Sequence, residues 1–239
     1  MKTLLLVSFT LFSTAVIHFF TPWSFSKKSD SKEITLEEGV GKRAAMRVRL
    51  LEAGLSEEAL DTGLEGFEKL LSAGHILRDD LVCIIDFSLP SNAERLWILN
   101  PSSLEPVHTS LVAHGRNSGN LWARSFSNEP GSYASSLGFY STAENYHGKH
   151  GLSLRLDGLE PDFNDKARER AVVMHSAEYA DPSFVEVHGR LGRSFGCPSI
   201  PTQGHEDVLR QIANGVCLFI FAPDDEYLTG SPILCGNNL

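Results

Sequence analysis

The spacing of apolar residues changes three times along the chain. Leu4 to Phe20 is almost wholly apolar, broken only by Ser8, Thr10, Ser13, Thr14 and His18. Between residues 33 and 74 the spacing is helical. Leu36, Val40, Ala44 and Val48 recur every four residues and define one face of a helix, with Thr35 and Glu38 as a capping box and Gly54 at its end. Ser56 opens a second helix with Leu60, Leu64, Phe67 and Leu71 on one face and Gly74 as its stop. The pair reads as a helical hairpin whose stripes serve packing. It carries no reactive constellation, so a chain shortened to start near Asp79 is expected to keep its chemistry once folded.

From Leu81 onward the pattern is that of strands. Leu81–Ile85 is a continuous apolar run, and Arg95–Leu99 follows a Pro90-Ser91-Asn92 turn, which predicts a hairpin. Val107 to Ala113, Leu137 to Ser141, Ala171 to His175 and Val216 to Phe221 add further strands. Leu152, Leu154 and Leu156 alternate with Ser153 and Arg155, the signature of a half-buried strand. One helix is expected between Gly204 and Asn214, ending at Gly215. The expected fold is mainly β with α: a β-rich domain with one helix, preceded by the helical hairpin. The expected divisions are 1–26, a signal peptide or membrane anchor; 27–79, linker and hairpin; and 80–235, the β-rich domain.

Lys2 directly before the apolar run gives the N-terminus the layout of an export signal, with Ser13 and Ala15 as a small-x-small cleavage signal. The length of the run suits either a cleaved signal or a membrane anchor through residues 4–20. The protein is therefore expected in the periplasm or cell envelope. Of 239 residues, 42% are hydrophobic and 21% charged, an ordinary globular composition. Twenty-one basic against 30 acidic residues give a net charge of −9, and no basic cluster stands out, which argues against a nucleic-acid partner. Four cysteines are too few for a disulfide scaffold. Cys83 and Cys217 sit in apolar runs, and Cys235 near the C-terminal end is a candidate to pair with Cys217 in an oxidising compartment.

The segment Gly192-Arg193-Ser194-Phe195-Gly196-Cys197-Pro198 can be neither regular helix nor central strand. It suits a loop that presents the Cys197 thiol and aims backbone N–H groups at one point, as a cysteine nucleophile requires. The competing fate is a small buried hydrophobe. His175 ends an apolar strand and is followed by Ser176, so the sheet would hold the imidazole at its edge, where it can take a thiol proton. His188 is a rival base without a strand to fix its aim. His114-Gly115 and Ser118-Gly119 form a glycine-rich turn with no phosphate-binding lysine after it. His147 and His150 supply only two metal ligands, so no metal and no cofactor is expected.

His175-Ser176, followed after a spacer by Ser194-Phe195-Gly196-Cys197, resembles the signature of the L,D-transpeptidase (YkuD-type) catalytic domains. The stretches Val112–Gly119, Phe126–Ser132 and Ser135–Phe139 resemble one branch of that family, which also has Gly-Arg-Ser-aromatic-Gly-Cys-Pro. The resemblance covers about residues 80–225 and implies a mixed β-sheet sandwich with a catalytic loop and one helix, with residues 80–235 as the catalytic domain. It implies a cysteine enzyme acting on peptidoglycan stem peptides through a thioester, forming 3→3 crosslinks. Hydrolysis at the same site, as a carboxypeptidase or endopeptidase, and a weakly catalytic wall-binding module are the alternatives. By resemblance Cys197 is the nucleophile, His175 the base, the Ser176 backbone its orienter and Gly196 an oxyanion donor. Arg193, Ser194, Phe195, His114, Gly115, Ser135 and Ser136 fall to substrate binding. Phe195 departs from the family, which has histidine two residues before the cysteine.

Overall fold

The computed structural model describes residues 36–236, with side chains from residue 39. The export segment and the Thr35–Glu38 capping box lie outside the described residues and side chains. Among the described residues no helix is long and apolar enough to cross a membrane.

Helices α1 (Leu36–Glu52) and α2 (Glu57–Ser72) form the hairpin. Ser56 caps α2, its hydroxyl accepting from the Ala59 N–H at 3.2 Å. The stripe expected on α1 is corrected: Val40 and Val48 are exposed, as is Ala44, while Leu50 is buried and Met46 and Leu51 are half-buried. A four-residue repeat drifts around a helix of 3.6 residues per turn, and the apolar burial of α1 falls in its last turns, while Arg43 reaches the Pro101 and Ser102 carbonyls.

The strands are β1 (Val82–Asp86), β2 (Leu96–Leu99), β3 (Pro106–Ser110), β4 (Gly138–Gly148), β5 (Gly151–Gly158), β6 (Val173–Ser176), β7 (Ser199–Ile200) and β8 (Cys217–Phe221). They make one mixed sheet in the order β3-β2-β1-β8-β4-β5-β6-β7. The predicted β1–β2 hairpin is antiparallel, and β1 also lies parallel to β8. A bridge from Ala113, just after β3, to Ser199 on β7 brings the two ends of the sheet together, so it curls into a near-barrel. The predicted helix is α4 (His205–Gln211). Three further short helices, α3 (Pro182–His188), α5 (Asp225–Gly230) and α6 (Pro232–Cys235), carry no apolar period long enough to read from sequence.

The sheet's central strands β1, β2 and β8 are buried along their whole length. Helix α2 covers them with Leu60, Phe67 and Leu70, which belong to the same core as Phe139 and Phe219. The hairpin is thus part of the domain core, in keeping with the packing role expected of it, and a chain starting near Asp79 would leave that apolar face open to water. Contact is close because α2 approaches through Gly63 and Gly66. A Cβ at Gly66 would overlap the Phe139 ring, which stacks on Phe219 at 4.2 Å. Gly66→Ala is expected to cost about 1–3 kcal/mol through overpacking, outweighing a helix-propensity gain of roughly 1 kcal/mol. A urea midpoint at or above wild type would show that the Phe139 ring yields instead.

Candidate active site

The parallel pairing of β6 with β7 sets His175 opposite Ser199, and Cys197 stands two residues before Ser199. Both His175 and Cys197 face one cavity of about 570 Å³. His175 is 3% exposed. Its Nδ1 lies 2.9 Å from the Ser176 carbonyl, which can only accept, so Nδ1 carries the proton. Nε2 is then the acceptor and takes a hydrogen bond from Ser199 Oγ at 3.1 Å. That leaves Tyr179 OH to donate to Ser199 Oγ at 2.9 Å, completing a directed chain from tyrosine to serine to imidazole to carbonyl.

The Cys197 sulfur accepts from the Val173 N–H at 3.4 Å and reaches toward the Ala171 carbonyl at 3.7 Å. Burial pushes its thiol up, against opposing pulls from the Val173 N–H and the charges of Arg170 and Lys149. Burial also lowers His175, partly countered by the Ser176 hydrogen bond, with His150 and Lys149 lowering it further. Both shifts favour the neutral forms. The pair these shifts favour is thiol and imidazole, a form from which a histidine can act as a general base.

The loop before the cysteine is braced by its own side chains. Ser194 Oγ donates to the Cys197 carbonyl at 2.6 Å and accepts from the Gly196 N–H at 3.1 Å. The Gly196 N–H, expected to face an oxyanion, is thereby taken up in the turn. Gly196 serves instead through its positive φ of 121°, in a space where a Cβ would press on the Ala134 carbonyl at 2.8 Å. Ser194 is buried in the same brace, although it borders the cavity. Phe195 is 62% exposed at the cavity rim, its ring 4.9 Å from that of Tyr133, with the Arg116 guanidinium over both. Arg193 is exposed on the cavity wall and donates to the Gly119 carbonyl at 3.2 Å.

The remaining substrate-binding expectations are corrected, because none of His114, Gly115, Ser135 and Ser136 lines the cavity. Gly115 donates to Ser135 Oγ at 3.0 Å, and Ser135 Oγ lies 3.4 Å from the Gly196 carbonyl, so these two hold the catalytic loop from behind. Ser136 bonds Tyr140 OH at 2.7 Å. His114 is fully buried against Arg95, whose Nη2 donates to its Nδ1 at 2.8 Å. Burial and then the Arg95 charge push its pKa down to about 3. Below pH 6.5 the unfolded chain takes a proton that the folded chain refuses, so stability falls as pH drops from there toward 3. The slope is about 1.4 kcal/mol per pH unit. Urea midpoints between pH 7.5 and 5 should show the decline, and His114→Gln should flatten it.

Three cavity residues escaped the sequence reading. Arg170 reaches the Ser127 and Ala134 carbonyls at 2.8 and 2.7 Å and the hydroxyls of Ser136 and Ser132 at 3.1 and 3.3 Å. It ties the segment from Ser127 to Ser136 beside the nucleophile loop. His150, at the β4–β5 turn, stacks on His175 with centroids 4.3 Å apart. Tyr179 closes the relay. The only sequence signal was for His150, read there as half of a metal pair; among the described residues no three such side chains converge on a metal site. The rival His188 ends α3, exposed against Phe184 and away from the cavity. Cys217 is buried and Cys235 exposed, and both are free thiols.

The pattern of L,D-transpeptidase catalytic domains matches residues 51–221, and the chain belongs to that family. The match takes in α2, which the motif resemblance alone did not reach. No curated protein sequence matches the chain. Among solved structures, an L,D-transpeptidase from Mycobacterium smegmatis shares 11% identity over 60% of this chain and 59% of its own, with a TM-score of 0.38. One from Mycobacterium tuberculosis shares 14% over 60% and 58%, TM-score 0.40. One from Xylanimonas cellulosilytica shares 13% over 76% and 93%, TM-score 0.35. The chain thus spans about three-fifths of the first two.

Proposed function

We propose that this protein is an exported cysteine L,D-transpeptidase acting on peptidoglycan stem peptides. The observation that carries the reading is the shared cavity of Cys197 and His175, with the imidazole held by the Ser176 carbonyl so that Nε2 is the acceptor. In the proposed reaction His175 Nε2 takes the thiol proton as sulfur attacks the carbonyl of the third stem residue. The C–N bond to the terminal D-alanine breaks, and the leaving amine takes the proton from His175. A thioester on Cys197 remains. An acceptor amine then attacks the thioester and gives its proton to His175, and the C–S bond breaks as sulfur recovers a proton, leaving a 3→3 crosslink.

Incubation with purified muropeptides tests the reading. A mass increase matching the acyl-enzyme, followed by release of a 3→3 dimer, is the expected result. Release of the tripeptide alone would replace crosslinking by carboxypeptidase action, and absence of both would leave a wall-binding module. Export is supported by Lys2 and the apolar run Leu4 to Phe20. A reporter fused after Lys28 is expected outside the cytoplasmic membrane; its retention in the cytoplasm would remove the peptidoglycan role.

A further inference from the structure

We infer that the cavity selects anionic reactants, and that Lys149 and Arg193 read the negative charge. The chain carries 30 acids against 21 bases, yet among the described residues no Asp or Glu lines the cavity. Its walls hold three cations from three different segments: Lys149 at the β4–β5 turn, Arg170 before β6, and Arg193 on the nucleophile loop. Several cations elsewhere on the surface are matched to acids. Arg47 meets Glu57 and Asp61, Arg78 meets Asp80, Arg155 and Arg168 share Glu144, and Arg210 meets Glu206.

The cavity cations have no such match. Arg170 bonds only carbonyls and hydroxyls. Glu129, the carboxylate that acts on it at longer range, is bonded to Lys166 at 2.6 Å. Four of Arg170's contacts go to the fold, so it supplies field more than a binding hand. Arg193 has one carbonyl contact and an exposed fork, and Lys149 is exposed at the rim. A guanidinium presents a planar fork that fits a carboxylate, while an ammonium acts as a point charge. Carried on two different segments that line the cavity with Cys197, the two can hold an anionic group on the incoming molecule while sulfur attacks a neighbouring carbon.

For a peptide donor the selection rests on the acyl-transfer reading above; for a small alkylating reagent it does not. Iodoacetate and iodoacetamide have nearly the same size, and both alkylate a thiolate with loss of iodide, so their rate ratio cancels thiolate fraction and access. Cys235 is exposed and serves as reference within the same molecule, while Cys83 and Cys217 are buried. The iodoacetate-to-iodoacetamide ratio is expected to be about fivefold higher at Cys197 than at Cys235, on the scale of one unit charge acting nearby. It should shrink in 1 M salt, where the Debye length is about 3 Å. Lys149→Gln and Arg193→Gln should each lower the ratio, and Lys149→Arg should restore it.

A second arm compares two stem peptides that differ only by a carboxylate or carboxamide on the third residue. The free acid should acylate about tenfold faster, roughly 1.4 kcal/mol, with the gap closing in the Lys149→Gln, Arg193→Gln double variant. If alkylation favours iodoacetate but no stem peptide acylates, the acyl-transfer reading fails and anion selection stands. Equal ratios at Cys197 and Cys235, or a ratio unmoved in the double variant, would overturn the selection itself.

Discussion

Cys197→Ala is expected to lose covalent acylation altogether, the largest effect among the substitutions considered. A carbapenem, which mimics the acyl donor in this family, should add its mass to the wild type and to Cys235→Ala but not to Cys197→Ala. The other thiols cannot substitute. Cys83 and Cys217 lie fully buried in β1 and β8, where desolvation drives both thiols upward and away from the reactive thiolate. Cys235 is exposed but lies in the short α6 and outside the cavity. Cys197→Ser keeps the shape and should still fail, because a hydroxyl is far harder to deprotonate than a thiol and the Nε2 of His175 is a neutral, desolvated base. Undiminished labelling of Cys197→Ala would refute the nucleophile.

The sequence made the pieces of this site visible unevenly, and the difference has a physical cause. Residues whose backbone setting is unusual stood out: the glycine-bounded, proline-terminated segment from Gly192 to Pro198 excludes helix and central strand on composition alone. His175 stood out because it ends a clean apolar strand. Long strands were legible for the same reason, since Leu152, Leu154 and Leu156 can alternate only on a pleated sheet. The two-residue β7 was not, because Ser199–Ile200 is too short to carry a period, yet it is the element that seats Ser199 against His175. Arg170 and Tyr179 reach the cavity through three-dimensional neighbours, and no local pattern marks them, while His150 was marked only as half of a histidine pair with His147. The same limit produced the errors at His114, Gly115, Ser135 and Ser136. Their polar, glycine-rich setting resembles a cleft lining, but polar groups buried beside a loop hold it by hydrogen bonds as readily as they hold a substrate.

His175→Ala should leave the thiol in place and slow acylation by about 10²–10⁴, the usual range for a general base. The neutral resting pair sharpens this expectation. Were Cys197 already a thiolate, the imidazole would be needed mainly to protonate the leaving amine, and the first chemical step would survive its loss. Burial raises the thiol and lowers the histidine, so the proton must move during attack. The pH dependence follows with a definite sign. Because His175 ionises below 6.5, it stays an effective base through that pH, and acylation should fall only as pH drops through its lowered value. At the upper end the raised thiol means that the rate keeps climbing above pH 9 as Cys197 ionises on its own. In His175→Ala the inflection at the histidine's lowered value should vanish, leaving one continuous rise with pH, since hydroxide then has to replace the missing base. His188→Ala, altering an exposed residue on α3 outside the cavity, should leave both limbs in place. Stopped-flow acylation by a carbapenem across pH 5 to 10 reads both limbs at once. An unchanged low-pH limb in His175→Ala, with its loss in His188→Ala, would move the base to His188 and leave Cys197 as nucleophile.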